Sequence, residues 1–298
     1  MTSFAPASIV SPTSTEKPLI RVAHSPDSDD AFMFYALAQD KIDTEGLRFE
    51  HVLCDIETLN HEALKGTYEL TAISYHAYPY LADKYVMLDV GASIGDKYGP
   101  VLISNEPMTK DDLTTGKFKD TPIAVPGLMT SAYLGLKLWE PSLNTVVVPF
   151  DQIMERVASG EFKAGLIIHE GQLTYGAEGF HKVVDLGEWW FATTNLPLPL
   201  GCNAIRRDLG AERIAQVARL LKQSIQYSLD HREAGLAHAM QYSRGLTTAQ
   251  ADQFVGMYVN HHTIQAGAEV KRAVRLMLAM GADMGIIPNK IEPEFVDA

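Results

Sequence analysis

The chain predicts an α/β fold in two lobes, with mixed and largely parallel sheets, and three observations carry that prediction. Short apolar runs alternate with helix-period segments, which is the pattern of βαβ units. The alternation runs to about residue 105 and restarts near residue 121. At 298 residues the chain also exceeds the length that one hydrophobic core usually serves.

The elements follow in order. LIRVAH (19–24) reads as a strand, SPDSDD as a turn and AFMFYALAQD as a helix. LRFEHVL (47–53) is the next strand, DIETLNHEALKG a helix stopped by Gly66, and YELTAISY a strand ending near Ser74. GPVLISN (99–105) closes the first series. In the second series TPIAVPG (121–127) is strand and turn, MTSAYLGLKLWE a helix, NTVVVPF (144–150) a strand, DQIMERVASG a helix and KAGLIIHE a strand. After LPLPLG (196–201) the chain reads as mostly helical, with Ile214, Val217, Leu220, Leu221, Ile225 and Leu229 at i, i+3, i+4 spacing. We expect a large lobe from 18–105 with 197–298, a small lobe from 106–196, and a loose Ser/Thr/Pro-rich leader at 1–17.

The halves resemble one another loosely. DIETLNHEALKGTYELTAIS and DQIMERVASGEFKAGLIIH both run from an acid through a helix and a glycine to a strand with a polar end, Ser74 in one and His169 in the other. In open α/β sheets ligands bind at the carboxyl ends of the strands, so two lobes on one plan would face Ser74 and His169 across a cleft. Helices starting after Asp29 and Met129 would aim their N-termini there, offering N–H groups and about half a positive charge to an anion.

Net charge is −12, which argues against nucleic acid and anionic membrane surfaces as partners and leaves small molecules. Cys54 and Cys202 form no CxxC pair, no basic start precedes a long apolar core, and no run approaches a membrane span. A soluble, cytoplasmic protein is expected. With no GxGxxG and no Walker loop, neither cofactor nor metal is expected.

Single residues carry two readings each. His169 could take a proton at neutral pH, or be a histidine at a solvent-facing strand end; spacing alone favours the second. Glu170 orients that imidazole or is simply solvated, and the plain reading is preferred. Ser74 binds substrate or ends a strand. Thr130 and Ser131 cap the following helix, hold a ligand, or both. Asp27, Asp29 and Asp30 lack the glycine and distal glutamate of a calcium loop and suit a helix start. His261 and His262 lack HExxH spacing and read as helix surface. Trp189, Trp190 and Phe191 could stack on a ligand ring, though core is the better reading.

Taken together, DIETLN (55–60), SYHAY (74–78), GLIIHE (165–170), VVDLG (183–187) and LPLPLG (196–201) resemble the 1,4-dihydroxy-6-naphthoate synthase family of the futalosine route to menaquinone, over roughly residues 20–280. The resemblance implies a fold like the type II periplasmic binding proteins and a lyase that cleaves cyclic dehypoxanthine futalosine to 1,4-dihydroxy-6-naphthoate. It implies His169 as the base, with Ala72, Ile73, Ser74, Thr130 and Ser131 contacting an aromatic carboxylate substrate. The chain departs from the family in two places. The first turn, usually Ser-Pro-Cys-Pro-Asn-Asp, is the more acidic Ser25-Pro26-Asp27-Ser28-Asp29-Asp30 here, and Ala72 stands where one member has lysine. Two rivals are a chorismate dehydratase of the same pathway, against which GLIIHE speaks, and a non-catalytic cytoplasmic binding protein for an aromatic carboxylate.

Overall fold

The computed structural model of the chain describes residues 17–243 and 245–298, so the expected leader lies outside the described residues except for Lys17. The first series contains strands β1 (Leu19–His24), β2 (Arg48–Leu53), β3 (Leu70–Ser74), β4 (Tyr85–Leu88) and β5 (Ser93–Gly95), with helices α1 (Ser28–Met33), α2 (Tyr35–Ala38) and α3 (Ile56–Lys65). The second holds β6 (Val101–Ser104), β7 (Ile123–Val125), β8 (Thr145–Val147), β9 (Ala164–Ile167) and β10 (His181–Asp185). Its helices are α4 (Lys110–Thr114), α5 (Ser131–Trp139), α6 (Ile153–Ala158), α7 (Gly171–Thr174) and α8 (Leu186–Thr194). The last third holds β11 (Leu198–Arg206), then α9 (Gly210–Asp230), α10 (Arg232–Ala239), α11 (Thr248–Tyr258), α12 (His261–Ile264), α13 (Ala268–Asp283) and β12 (Phe295–Val296).

Local chemistry sets these boundaries. Asp55 caps α3 by accepting from Thr58 N, and Gly66 ends it at φ +73°, a conformation glycine adopts without steric penalty. Thr130 caps α5 by accepting from Tyr133 N. The first helix starts earlier than the sequence suggests: Ser28 is its first residue, which puts Asp29 and Asp30 in the first turn, where acids complement the N-terminal dipole. The stretch expected to border a helical remainder is instead the nine-residue strand β11, whose register shifts between Pro199 and Gly201 where proline interrupts the pairing.

The two sheets repeat one topology. One runs β12-β4-β11-β3-β1-β2, with β5 also on β11; the other runs β10-β6-β9-β7-β8. In each, a central strand (β3 or β9) is parallel to the first strand of its lobe (β1 or β7), which is parallel to the second (β2 or β8). In each, the far side of that central strand takes an antiparallel strand that directly follows a crossing, β11 or β6. Because β6 pairs in the second sheet, the first crossing lies before Val101 and not near residue 105. The second crossing lies between Thr194 and Leu198.

One apolar core runs through both lobes: Ile73, Tyr75 and Cys202 of the first share a cluster with Leu134, Leu166 and Trp190 of the second. Trp190 is fully buried, with its indole N–H donating to Pro197 O at 3.1 Å, while Trp189 packs beside it partly buried. No helix of the described residues is long and apolar enough to cross a membrane.

The first crossing is packed backbone to backbone. A Cβ on Gly187 would lie 2.0 Å from Tyr98 O and 2.7 Å from Gly99 N. Gly187→Ala should therefore destabilise the fold by about 1–3 kcal/mol, the usual cost of overpacking, read as a lower urea midpoint with unchanged slope.

Candidate functional site

The carboxyl ends of the strands open onto a cleft of about 790 Å³, its mouth included. Strands β3 and β11 make its floor in the register Gly201↔Ser74 and Asn203↔Ala72. Side chains alternate along a strand, so Ala72 and Ser74 share a face, as do Gly201 and Asn203. Three of these four are Ala, Ser and Gly, which leaves the floor low enough for a flat ring. Ser25, Asp27, Asp29 and Asp30 form one wall, Thr130, Ser131 and Ala132 another, and Ile168, Gln172, Phe254 and Tyr258 complete the lining.

The seam between the lobes is polar and bonded. Glu57 of α3 accepts Leu128 N–H at 2.9 Å and Met129 N–H at 3.1 Å, the amides just before α5. Burial raises the Glu57 carboxyl pKa, and the Met129 amide and His61 oppose the rise. Asn60 accepts Ser74 N–H at 2.9 Å and donates to Ser74 Oγ at 3.1 Å and to Met129 O at 3.3 Å. His76 N–H donates to Ser131 Oγ at 3.2 Å, and its Nδ1 lies 3.2 Å from Thr130 O. On the other side of the cleft Ser28 Oγ donates to buried Glu170 at 2.7 Å, and Tyr258 OH donates to Gln172 Oε1 at 2.7 Å. The solvated reading of Glu170 is thus wrong: it is a cross-lobe acceptor.

Thr130 Oγ1 is committed to its own turn, donating to Gly127 O and accepting from Tyr133 N. The N–H groups of Ser131 and Ala132 are first-turn donors without an intrahelical acceptor, and both residues line the cleft. Ser131 Oγ accepts from His76, so its own O–H is available to donate.

The opposite wall is acidic. Asp30 accepts Ser25 N–H at 2.8 Å, and Asp27 accepts Ser25 Oγ–H at 2.9 Å. Burial, then repulsion from Asp30 and Asp27, raises the Asp29 pKa well above the usual range; burial raises Asp30 to about 6. Among the described residues, no lysine, arginine or histidine lines the cleft. The turn rests on a histidine pair: His24 Nδ1 bonds Ser25 O at 2.9 Å and its Nε2 lies 3.1 Å from His51 Nδ1. Burial lowers both imidazoles to about 4.

All five expected ligand residues, Ala72, Ile73, Ser74, Thr130 and Ser131, line this cleft, and His169 does not, although Ile168 and Gln172 beside it do. β9 ends at Ile167, so His169 sits in the turn before α7. Its Nδ1 accepts Gly171 N–H at 2.9 Å, and its ring meets Phe150 edge-on at 5.7 Å between centroids. A neutral imidazole held this way carries its proton on Nε2. None of Trp189, Trp190 and Phe191 lines the cleft. His261 is exposed, but His262 is buried, contrary to a surface reading of both. Sequence reasoning missed Glu57, Asn60, Asn203 and Tyr258. Glu57 and Asn60 lie inside the quoted DIETLN, an available signal, whereas the roles of Asn203 and Tyr258 emerge only from strand register and helix packing.

A family model described as menaquinone biosynthesis matches residues 20–283. A protein of Thermus thermophilus named 1,4-dihydroxy-6-naphtoate synthase is 37% identical over 277 residues, which cover 93% of this chain and 99% of that one. One of the same name from Streptomyces coelicolor is 33% identical, covering 90% and 95%. Among solved structures, an Archaeoglobus fulgidus protein superposes with a TM-score of 0.85 at 46% identity, over 90% of this chain and 98% of that one. The alkanesulfonate-binding protein SsuA of Xanthomonas axonopodis pv. citri, bound to MOPS, superposes at 0.68 with 13% identity, over 96% and 100%, a likeness of periplasmic-binding-protein fold alone.

The histidine pair generates a pH prediction. An unfolded histidine takes up a proton near pH 6.5, whereas His24 and His51 resist charging down to about 4, so together they remove stability as pH falls through that window. Asp30 and Asp185, raised to about 6, act in the opposite sense over an overlapping range. His51→Leu should therefore gain about 1–2 kcal/mol relative to the parent between pH 7 and pH 5. Urea unfolding at the two values checks it; a difference independent of pH would remove the pair from that role.

Proposed function

The chain belongs to the 1,4-dihydroxy-6-naphthoate synthase family of menaquinone biosynthesis, and we propose that it is the carbon–carbon lyase that converts cyclic dehypoxanthine futalosine to 1,4-dihydroxy-6-naphthoate. The observation that carries this reading is a cleft whose described lining offers an aromatic carboxylate backbone and hydroxyl donors and, among the described residues, no cationic side chain. Its floor of Ala72, Ser74 and Gly201 accepts a flat ring. At its edge the Ser131 and Ala132 amides and the Ser131 hydroxyl converge as donors. Glu57 already occupies the Leu128 and Met129 amides, so a substrate carboxylate takes the next ones. This revises the sequence expectation: Thr130 shapes the turn, and its hydroxyl is not the anchor.

His169 supplies the base. Its Nδ1 is bonded to Gly171 N–H, so a shift of the turn from Ile168 to Gln172 would release that lone pair toward the ring. Proton removal then permits a retro-aldol-like fragmentation that expels the sugar remnant, and aromatisation drives the step. We place the reaction in the cytoplasm, where unpaired Cys54 and Cys202 stay reduced.

Incubation with cyclic dehypoxanthine futalosine, followed by mass spectrometry, should show the dihydroxynaphthoate mass appearing with loss of substrate. An intact ligand after prolonged incubation would assign the chain to non-catalytic binding. His169→Asn should lower turnover by about 10²–10⁴ while leaving product affinity nearly intact. Turnover within a few-fold of the parent would remove His169 as the base. Ser131→Ala should weaken binding of 2-naphthoate by about 10-fold, read by calorimetry, because a hydrogen bond to a charged group is lost.

A further inference from the structure

The donor edge of the cleft answers a carboxylate; the acidic side of the same cavity answers something else. Asn203, 1% exposed, lies on the floor, and its Nδ2 donates to Gly91 O at 3.0 Å. That bond identifies the remaining amide atom as oxygen, and this Oδ1 has no hydrogen-bond partner. The close approach depends on glycine: a Cβ at Gly91 would lie 2.3 Å from Asn203 Nδ2, and φ there is +76°. An orphaned buried acceptor is disfavoured on its own and is relieved by a ligand donor.

The neighbouring lining is also accepting. Asp27, Asp29 and Asp30 face the cavity that Asn203 floors, and among the described residues no cationic side chain lines it. A polar ligand part here must bring hydrogens. A metal ion is not the match, because among the described residues no group of three or more His, Cys, Asp or Glu is arranged to hold one. An ammonium group would want full negative charge, whereas burial and repulsion from Asp30 and Asp27 keep Asp29 reluctant to ionise. Neutral hydroxyl groups fit both facts.

Register sets the distance between the two ends. Ser74, tied through Asn60 to the start of α5, pairs with Gly201, while Asn203 pairs with Ala72 two residues back. Two residues along a strand span about 7 Å, roughly the length of a bicyclic ring.

We propose that the end of the cleft formed by Asn203 Oδ1 and the Asp27–Asp30 turn is a hydroxyl-reading subsite for the polyol, sugar-derived part of the substrate. This rests on the lyase reading for the identity of the substrate, and it fixes which way round that substrate lies. The carboxylate points to Ser131 and the sugar remnant to Asn203, with the ring between them on Ala72 and Ser74.

Calorimetry with 4-carboxyphenyl β-D-riboside, its 2,3-dideoxy counterpart and 4-(aminomethyl)benzoate tests the subsite without needing turnover. The parent should bind the riboside about 10-fold or more tightly than the dideoxy compound. Asn203→Leu and Asp29→Ala should each shrink that preference to within about 2-fold and leave dideoxy affinity within about 3-fold of the parent. If Asn203→Leu does not fold, Asp29→Ala carries the comparison. Equal losses for both ligands, no preference in the parent, or tightest binding of the aminomethyl compound would overturn the proposal. A parent that prefers the riboside yet leaves cyclic dehypoxanthine futalosine intact would instead overturn the lyase reading and keep the subsite.

Discussion

A carboxylate on one lobe seated on the last amides before a helix of the other lobe is the contact on which the site's geometry depends. Glu57 reaches from α3 to the Leu128 and Met129 N–H groups. A Cβ on Gly127 would come within 2.2 Å of the Glu57 carboxyl carbon, so a larger residue there would displace this carboxylate from the amides. Asn60, one helical turn along α3, carries the same tie inward to Ser74 and Met129. The floor, the donor edge and the seam are thus set by one helix, and α5 begins in register with β3 because α3 holds both. Ser28 and Glu170 close the opposite side.

Charge is placed with equal care. In a chain of net charge −12 the described residues present no cationic side chain to this cleft, and on the proposed reading oriented backbone dipoles would hold the anion instead. Dipoles keep their sign at every pH and add no long side chain to a floor that must stay flat. Acidic groups gather on the other wall, where burial and mutual repulsion blunt their charge. The two walls therefore differ in hydrogen-bond sense, one donating and one accepting, and that asymmetry can orient a ligand.

The architecture was legible in the sequence because its signals are local. Gly66, Asp55 and the apolar period of α9 fix their elements by capping and burial. The loose likeness between the halves reappears as the shared order β2-β1-β3-β11 and β8-β7-β9-β6. What was illegible depends on partners far along the chain. β11 carries a proline and no alternation, and pairing with β3, β4 and β5 makes it a strand. Glu170 looked solvated because its partner, Ser28, lies 142 residues away. His169 lies two residues beyond the end of β9, and the bond from Gly171 N–H that holds its ring is a property of the α7 turn with no signature in spacing.

The central claim is that one cleft holds an aromatic carboxylate between a donating and an accepting wall. A crystal structure with 1,4-dihydroxy-6-naphthoate bound tests it most directly. The carboxylate should lie within hydrogen-bond distance of the Ser131 and Ala132 amides, the rings over Ala72, Ser74 and Gly201, and a ring hydroxyl should be directed toward Asn203. A carboxylate beside Asp29 or Asp30, or a ligand outside the cleft, would contradict it.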